Sequence, residues 1–576
     1  MRLHPHHLAL ALGLGACRSR PAGSPRAPAP IPADRTRELA PRAQAVHVLN
    51  RLAFGPRPGQ VDQVVSVGID AWIADQLRLA RHEDPAVATL RRAYRTLDED
   101  PAELRAEFPT RAVLRRVSGA PMTAADSVAL RQAAREARTV TQELLSARVA
   151  RAVVSERQLD EVMTDFWLNH FSVFAGKNPS MRYTLAAYER EAIRPHALGR
   201  FRDLLGAVAK SPAMLTYLDN ASSVADSTRP TLGDRNARER RVRRARAALA
   251  QRGGRRATRG DTLVVDQLLA RRPKGLNENY ARELLELHTL GVDGGYTQQD
   301  VIEVARALTG WTVQRGPRGT GGFTFNAVAH DAGAKVILGH PFPAGRGVAE
   351  GEAVLDLVAR HPATARHIAR KLVVRFVSDS AHPALVERAA EVFRRTDGDL
   401  REVVRTIVTS PEFFSRAAWR AKVKSPFELV VSAARALGAG PDTTGATAAV
   451  VARLGQPIYG HQAPDGWPET GAAWMNTGAI LARINFGMAV AANRVPGARP
   501  SAWPPAASLR SAPRDAQVDA VVAALLGGDA SPETREILAS GAHPMLDDAG
   551  RSSLRALTGL DQVVGLAIGA PEFQRR

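Results

Sequence analysis

Histidines on apolar helix faces are the side chains with the clearest capacity for chemistry in this chain. In the stretch 275–311, GLNENYARELLELHTLGVDGGYTQQDVIEVARALTGW, His288 falls on the same helical face as Tyr280. In MTDFWLNHFSVF, His170 shares a face with Phe166. A buried imidazole must find a hydrogen-bond partner. Each histidine is therefore either a core residue bonded to a carbonyl, which the pattern favours, or a ligand or acid/base group.

A third histidine lies beside an acid on a predicted loop. In GGFTFNAVAHDAGAKVILG, the segments 323–325 and 335–338 are predicted to form a strand pair around His330 and Asp331. A His–Asp pair can bind a metal ion or relay a proton, whereas a hydrogen bond that stabilises the turn is the simpler interpretation. Asp293, in VDGGYT, resembles the first residue of a calcium loop. The other acids of an EF-hand are absent, so a turn is favoured over a metal ligand there.

Aromatic and polar residues are concentrated in the segment 455–478, GQPIYGHQAPDGWPETGAAWMNTG. Aromatic side chains that exclude water, beside polar groups that orient a ligand, are typical of binding clefts. The residues that could line such a cleft are Tyr459, His461, Asp465, Trp467, Glu469, Trp474 and Asn476. The alternative is a loop packed on the helices with its tryptophans in the core.

Local signals predict a helical hairpin over 275–311. Asn277 is a good N-cap, and Gly291 stands where a left-handed residue ends the first helix, predicted over 278–290. Thr297 and Asp300 form a capping box for the second helix. These elements would position His288 and Glu283 on different faces of one helix.

Elsewhere the chain shows helical periodicity and little strand signal, which predicts an all-α, multi-helix globular domain with one small β-hairpin insertion. The predicted organisation is a signal peptide at 1–16, a Pro/Ala/Arg-rich tether at 17–42, a helical domain at 43–495 with a basic insertion at 233–260, and a Pro-rich linker with further packed helices at 496–576. With 576 residues, 45% of them hydrophobic, the chain can bury a large core. Its single cysteine excludes intrachain disulfides.

That cysteine follows a short apolar run. The order Leu-Gly-Ala-Cys at 14–17 resembles a bacterial lipobox, in which a signal peptidase cuts before the cysteine and acyl chains are attached to it. Cys17 is therefore the predicted lipidation site, and several acyl chains would hold the protein stably on a membrane. Arg18, rather than Asp, at the next position favours the outer membrane. A plain secretory signal is the alternative.

The net charge of +20 is concentrated in one stretch. Between Arg235 and Arg259 there are eleven arginines and one acid, a net +10 and half of the excess. A solvated insertion is one interpretation, and contact with anionic lipid or lipopolysaccharide is the other. Nucleic acid is not a predicted partner, because no nucleic-acid-binding motif accompanies the basic run.

Several long phrases resemble the bacterial family called Domain of Unknown Function 1800. They are HVLNRLAFGPRPG, FWLNHFSVF, NENYARELLELHTLGVDGGYTQQDVIEVARALTGW, FNAVAHDAGAKVILG, RHIARKLVVRFVSD and APDGWPETGAAWMNTG, in that order over residues 43 to 490. The Arg-rich stretch departs from the family pattern. The resemblance implies export and an association with an exported, sulfatase-like partner. It implies no reaction, because the family has no established activity.

Two hypotheses follow. The first is a non-catalytic lipoprotein of the cell envelope, acting as a helical scaffold or binding module with an exported partner. It is favoured because no nucleophile elbow, P-loop or His-Glu-x-x-His motif is present. The second is a metal-assisted hydrolase whose site would gather His170, Glu283, His288, His330, Asp331 and Asp465. If a divalent metal binds, the candidate ligands are His288, Asp293, His330 and Asp331.

Overall fold

Helices dominate the computed structural model, which describes residues 37–78, 84–108, 124–226, 228–232, 275–314, 321–542 and 557–576. The predicted all-α class is confirmed. Cys17, the predicted signal peptide, most of the predicted tether and the basic stretch from Arg235 to Arg259 lie outside the described residues.

The first half of the described chain contains short helices around one long one. Its α-helices are Pro41–Arg51, Gln60–Val67, Ile69–Gln76, Pro85–Arg91, Pro101–Glu107, Ala124–Val154, Gln158–His170, Leu185–Ala187, Phe201–Lys210, Pro212–Tyr217, Glu278–Glu283 and Gln298–Ala307. The second half contains Val348–Arg360, Pro362–Phe376, Pro383–Arg395, Leu400–Val408, Pro426–Ala436, Ala446–Arg453, Thr477–Ala491, Ala506–Leu509, Arg514–Leu525, Pro532–Ser540, Gly559–Gly569 and Pro571–Gln574. Single 3₁₀ turns occur at Arg95–Leu97, Met181–Tyr183, Arg194–His196, Asn220–Ser222, Gly471–Trp474 and Pro500–Ala502.

The strands form two separate antiparallel hairpins in the described residues. β1 (Trp311–Val313) pairs with β2 (Phe323–Phe325), and β3 (Lys335–Ile337) pairs with β4 (His340–Phe342). The predicted pairing of 323–325 with 335–338 is therefore wrong. The reason is local: the two residues between β3 and β4 both have positive φ, the backbone that closes a two-residue hairpin and turns β3 onto β4.

Two π-helices, Tyr188–Ile193 and Leu284–Thr289, interrupt the helical pattern. The second continues directly from Glu278–Glu283, where the sequence predicts one α-helix to residue 290. In a π-helix each backbone hydrogen bond spans one residue more than in an α-helix, and these rare segments occur often at functional sites. Both predicted ends of this helix are present. Asn277 accepts a hydrogen bond from the Asn279 amide at 2.9 Å, and Gly291 is left-handed with φ +87°.

Most of the helices share one large apolar core that runs from the first described helix to the last. A second, smaller cluster is formed by Leu104, Phe108, Ala137, Val140 and Tyr183. Gly559–Gly569 packs on Thr477–Ala491 through glycines, since a Cβ at Gly487 would lie 2.7 Å from the carbonyl oxygen of Gly565. This contact joins residues after 496 to the helices before it. In the part of the chain that the structure describes, no helix combines the length and apolarity needed to cross a bilayer.

Candidate functional site

A cleft of about 710 Å³, including its open mouth, lies between the segment 455–478 and the helices Gln158–His170 and Pro362–Phe376. Charged and amide side chains form much of its wall: Arg148, Asp165, Asn169, Arg375, Glu428, Glu469 and Arg576. Of the residues predicted for a cleft in this segment, Tyr459, His461, Trp467, Glu469 and Trp474 line it. Asn476 instead caps the following helix by accepting from the Ala479 amide, 2.9 Å away.

Asn169 fixes the segment to the helix Gln158–His170. Its side-chain amide donates to the Trp467 carbonyl at 2.8 Å, and its Oδ1 accepts from the Trp467 amide at 2.7 Å. Gly466 permits this approach, because a Cβ there would lie 2.2 Å from the Asn169 carbonyl oxygen and its φ is +76°. Hydrogen bonds from the Asn169 side chain to the Trp467 backbone thus fix the position of Trp467 in the cleft.

The aromatic side of the cleft is formed by three rings in contact. The centroid of Trp467 is 4.6 Å from that of His461 and 5.9 Å from that of Trp474. Trp474 donates its Nε1–H to the Pro468 carbonyl at 3.0 Å and is buried. Trp467 is only half-buried, so part of its surface is open to a ligand.

The charged side of the cleft is a network of buried ion pairs centred on Arg375. Its guanidinium lies 3.2 Å from Asp165, 3.2 Å from Glu428 and 3.3 Å from Glu469. Arg576 lies 3.1 Å from Glu428. Burial by itself raises the pKa of Glu428, but Arg576 and Arg375 outweigh burial and hold this pKa at about 2. The carboxylate is therefore ionised across the physiological range.

The π-helix Tyr188–Ile193 supplies a second buried acid beside the cleft. Glu189 accepts from the Tyr459 hydroxyl at 2.8 Å and pairs with Arg194. Burial raises its pKa, but Arg194 and then Arg148 overcome that effect and lower the pKa to about 2. Burial and the negative charge of Glu189 both raise the pKa of Tyr459, which stays a neutral donor.

The two helix-face histidines lie together behind the cleft, where both are buried. The rings of His170 and His288 are 6.2 Å apart, and His170 Nε2 donates to the His288 carbonyl at 3.2 Å. His367 Nε2 donates to the neighbouring Leu287 carbonyl at 3.3 Å. Burial first, and then the charge of Lys371, lower the pKa of His288 to about 3 and that of His367 to about 4. The imidazoles of His288 and His367 are therefore neutral at pH 7.

His330 and Asp331 belong to a different, fully buried cluster. Asp331 pairs with Arg306 at 2.8 Å, and Lys335 lies 2.6 Å from Glu350. His330 Nδ1 donates to the Thr309 carbonyl at 2.8 Å, while its Nε2 lies 3.3 Å from Glu350.

The six residues predicted to gather into one hydrolase site therefore do not form a single site. His170 and His288 share one cluster, and His330 and Asp331 share another, because each pair is held by its own hydrogen bonds and ion pairs. In the described ranges, no group of three or more His, Cys, Asp or Glu side chains is arranged to hold a metal ion. Asp293 is exposed in its turn, whereas the other three proposed ligands, His288, His330 and Asp331, are buried.

Glu283 and Asp465 are the remaining two residues of that predicted set. Asp465 is exposed and accepts from His461 Nε2 at 2.9 Å. Glu283 is half-buried, and its pKa is raised first by burial, then by Glu286, and less by Asp465. The negative charge of Asp465, from the middle of the segment 455–478, therefore reaches Glu283.

The sequence profile of the family described as "Protein of unknown function (DUF1800)" matches residues 47–575. The chain belongs to the DUF1800 family. No curated protein matches it, and no solved structure matches it. The resemblance found in the sequence phrases is thereby confirmed at the level of the family.

In this DUF1800 chain, one face of the helix Pro362–Phe376 carries functional candidates that the sequence analysis missed. His367, Lys371 and Arg375 follow one another at i, i+4 and i+8, so they project from the same side. His367 contacts the π-helix Leu284–Thr289, and Arg375 contacts the cleft network. The signal was available in RHIARKLVVRFVSD, because basic residues at helical spacing within an apolar helix are unusual.

Proposed function

We propose that the chain is a ligand-binding protein of the cell envelope, and that the cleft under the segment 455–478 binds a carbohydrate. The observation that carries the proposal is a half-buried tryptophan, Trp467, which Asn169 holds in a cleft also lined by charged side chains that are paired with one another. An aromatic face combined with a few oriented polar groups is the usual composition of a small-molecule site.

A sugar ring has the matching chemistry. One face of the ring presents C–H groups that pack on an aromatic ring, and the edges present hydroxyls that donate and accept hydrogen bonds. The carboxylates of Asp165 and Glu469 are partly accessible, with 16% and 17% of their side-chain surface exposed. Since both are paired with arginine, they can accept from hydroxyls without movement of the wall.

Two further features of the sequence support placement at the envelope. A lipid anchor at Cys17 followed by an extended tether would hold the described domain at a membrane, with the outer membrane favoured. The stretch from Arg235 to Arg259 would add attraction to anionic lipid or lipopolysaccharide. An exported sulfatase-like protein would be the partner. Mass spectrometry of the mature N-terminus tests the anchor, and an unmodified Cys17 would refute it.

The binding test is calorimetric titration with purified bacterial envelope oligosaccharides, comparing wild type with Trp467→Ala. Loss of the Trp467 ring should weaken binding by at least tenfold, as expected for about 1.4 kcal/mol of stacking. The matched control is Trp72→Ala, which removes another half-buried tryptophan from the helix Ile69–Gln76, distant in sequence from the cleft segment. Equal affinity in wild type and Trp467→Ala, or no binding of any oligosaccharide by wild type, contradicts the proposal.

A further inference from the structure

The charged side chains of the cleft wall differ in how far a ligand can reach them. The carboxylates of Asp165 and Glu469 keep 16% and 17% of their side-chain surface exposed. The side chains of Arg148, Arg375 and Arg576 keep only 9%, 4% and 3%. A ligand that enters the cleft therefore meets carboxylate oxygens more readily than guanidinium nitrogens.

The arginines of the wall are also engaged by the protein itself. One terminal nitrogen of Arg375 lies 3.3 Å from Glu469, and the other lies 3.2 Å from Asp165. Arg148 pairs with Asp165 at 2.5 Å, and its guanidinium lies 5.8 Å from the centroid of the Tyr459 ring. An anionic ligand would thus compete with carboxylates that already hold these arginines. A carboxylate has about four lone-pair sites, so Asp165 and Glu469 can accept from a ligand as well as from arginine.

The aromatic side of the cleft also favours a positively charged group. The face of an aromatic ring attracts a cation within about 6 Å of its centroid, and tryptophan attracts it most strongly. Trp467 is half-buried, and it stands two residues before Glu469 in the same cleft-lining stretch. A ring face and an accessible carboxylate therefore lie on one short segment. Together they attract a cation and repel an anion.

We propose that the carbohydrate bound in the cleft carries a free, protonated amino group, as an oligomer of glucosamine does, and that Glu469 and Asp165 bind this ammonium group. This inference rests on the proposed function, because the Trp467 face would hold the sugar ring that bears the amine. Sugar hydroxyls also donate to carboxylates. An ammonium group donates as well and adds the attraction between opposite charges.

Two oligosaccharides that differ only at nitrogen test the inference. The whole protein is titrated calorimetrically at pH 6 with a glucosamine oligomer and with its fully N-acetylated counterpart. Aliphatic amines are protonated at this pH, whereas the N-acetyl group is a neutral amide. The free-amine oligomer should bind at least about tenfold more tightly, as expected for one hydrogen bond between charged groups. The net charge of +20 repels a polycation, so nonspecific attraction does not produce this preference.

A charge-removing variant locates the amine. Glu469→Gln keeps the size of the side chain, and Arg375 retains Asp165 and Glu428 as partners. This variant should reduce the preference for the free amine at least about threefold and leave the affinity for the N-acetylated oligomer within about twofold. The matched control is Glu352→Gln, which removes an acid that is likewise ion-paired but does not line the cleft. It should leave the preference unchanged.

The comparison of the two oligomers uses the wild-type protein alone, so it stays decisive even if a variant fails to fold. Equal affinities, or tighter binding of the N-acetylated oligomer, refute the bound ammonium group and leave the carbohydrate cleft standing. A preference for the free amine that persists unchanged in Glu469→Gln also refutes it, because the amine then binds elsewhere. Failure of every oligosaccharide to bind refutes the cleft and the amino sugar together.

Discussion

Several ionisable residues of the described domain are buried beside a side chain of opposite charge. Lys335 and Glu350 are both inaccessible to solvent and lie 2.6 Å apart. His330 contacts the same carboxyl group. Such a pair contributes little net stability compared with apolar residues, yet removing one member leaves a buried charge uncompensated.

Lys335→Met is therefore expected to lower the free energy of unfolding by about 3–5 kcal/mol, because Glu350 loses its cation. Urea denaturation followed by circular dichroism measures the change. The matched control is Lys210→Met, which breaks the more exposed pair with Glu352 and should cost about 1 kcal/mol or less. Similar losses in the two variants would show that the cluster around Glu350 is not the buried ionic unit described above.

At the scale of elements, the predictions that succeeded rest on contacts within a few residues. The Asn277 cap, the Thr297–Asp300 capping box and the left-handed Gly291 are local, and all are present. The π-helix Leu284–Thr289 was not predictable in this way. Two of its carbonyls are held by His170 and His367, which come from other helices. A spacing argument along one helix contains no information about such partners.

The candidate site shows the same division. The composition of the segment 455–478 indicated either a cleft wall or a loop packed on the helices with its tryptophans in the core, and the structure places five of its residues on a cleft. The charged side of the cleft was not predictable from the sequence, since Arg375 meets Asp165 across 210 residues of chain and Arg576 reaches Glu428 from the end of the sequence given. The six residues proposed for one hydrolase site were grouped by residue type. The structure divides four of them between the histidine cluster of His170 and His288 and the ion-paired cluster of His330 and Asp331.

Gly466 allows the cleft wall to lie directly against the Asn169 backbone. Gly466→Ala should lower the free energy of unfolding by roughly 1–3 kcal/mol and displace Trp467. The new Cβ would clash with the Asn169 backbone, and alanine would also be strained at this positive φ. Gly455→Ala is the control: it has φ +100° in the same segment but no atom within 4 Å of a new Cβ. Denaturation and oligosaccharide titration of both variants measure the effect. If the two alanines behave alike, backbone strain alone explains the loss and the clamp by Asn169 has no role.

At the scale of the whole molecule, buried titratable groups link stability to pH. Four buried or largely buried histidines have a pKa lowered from the usual value, with burial as the first cause: His47, His170, His288 and His367. Below about pH 6.5 these histidines bind protons in the unfolded chain but stay neutral in the folded protein. The four histidines therefore do not reduce the free energy of unfolding above that pH, and they lower it progressively as the pH falls. Glu189 and Glu428, each with a pKa near 2, add a further loss only below about pH 4.5.

These four histidines make the free energy of unfolding depend steeply on pH. Each histidine contributes up to about 1.4 kcal/mol per pH unit, so four together approach ~5 kcal/mol per unit against a total stability of roughly 5–15 kcal/mol. We therefore expect acid unfolding at about pH 4 to 5.5, before the glutamates titrate. His288→Leu should reduce the slope of unfolding free energy against pH by about 1.4 kcal/mol per unit between pH 6 and 4.5. Between pH 7 and 9 His288 is neutral in both states, so there the variant should keep the wild-type slope, and urea denaturation at each pH measures both ranges. An unchanged slope below pH 6 would mean that His288 takes up a proton without unfolding and is not held neutral by its burial.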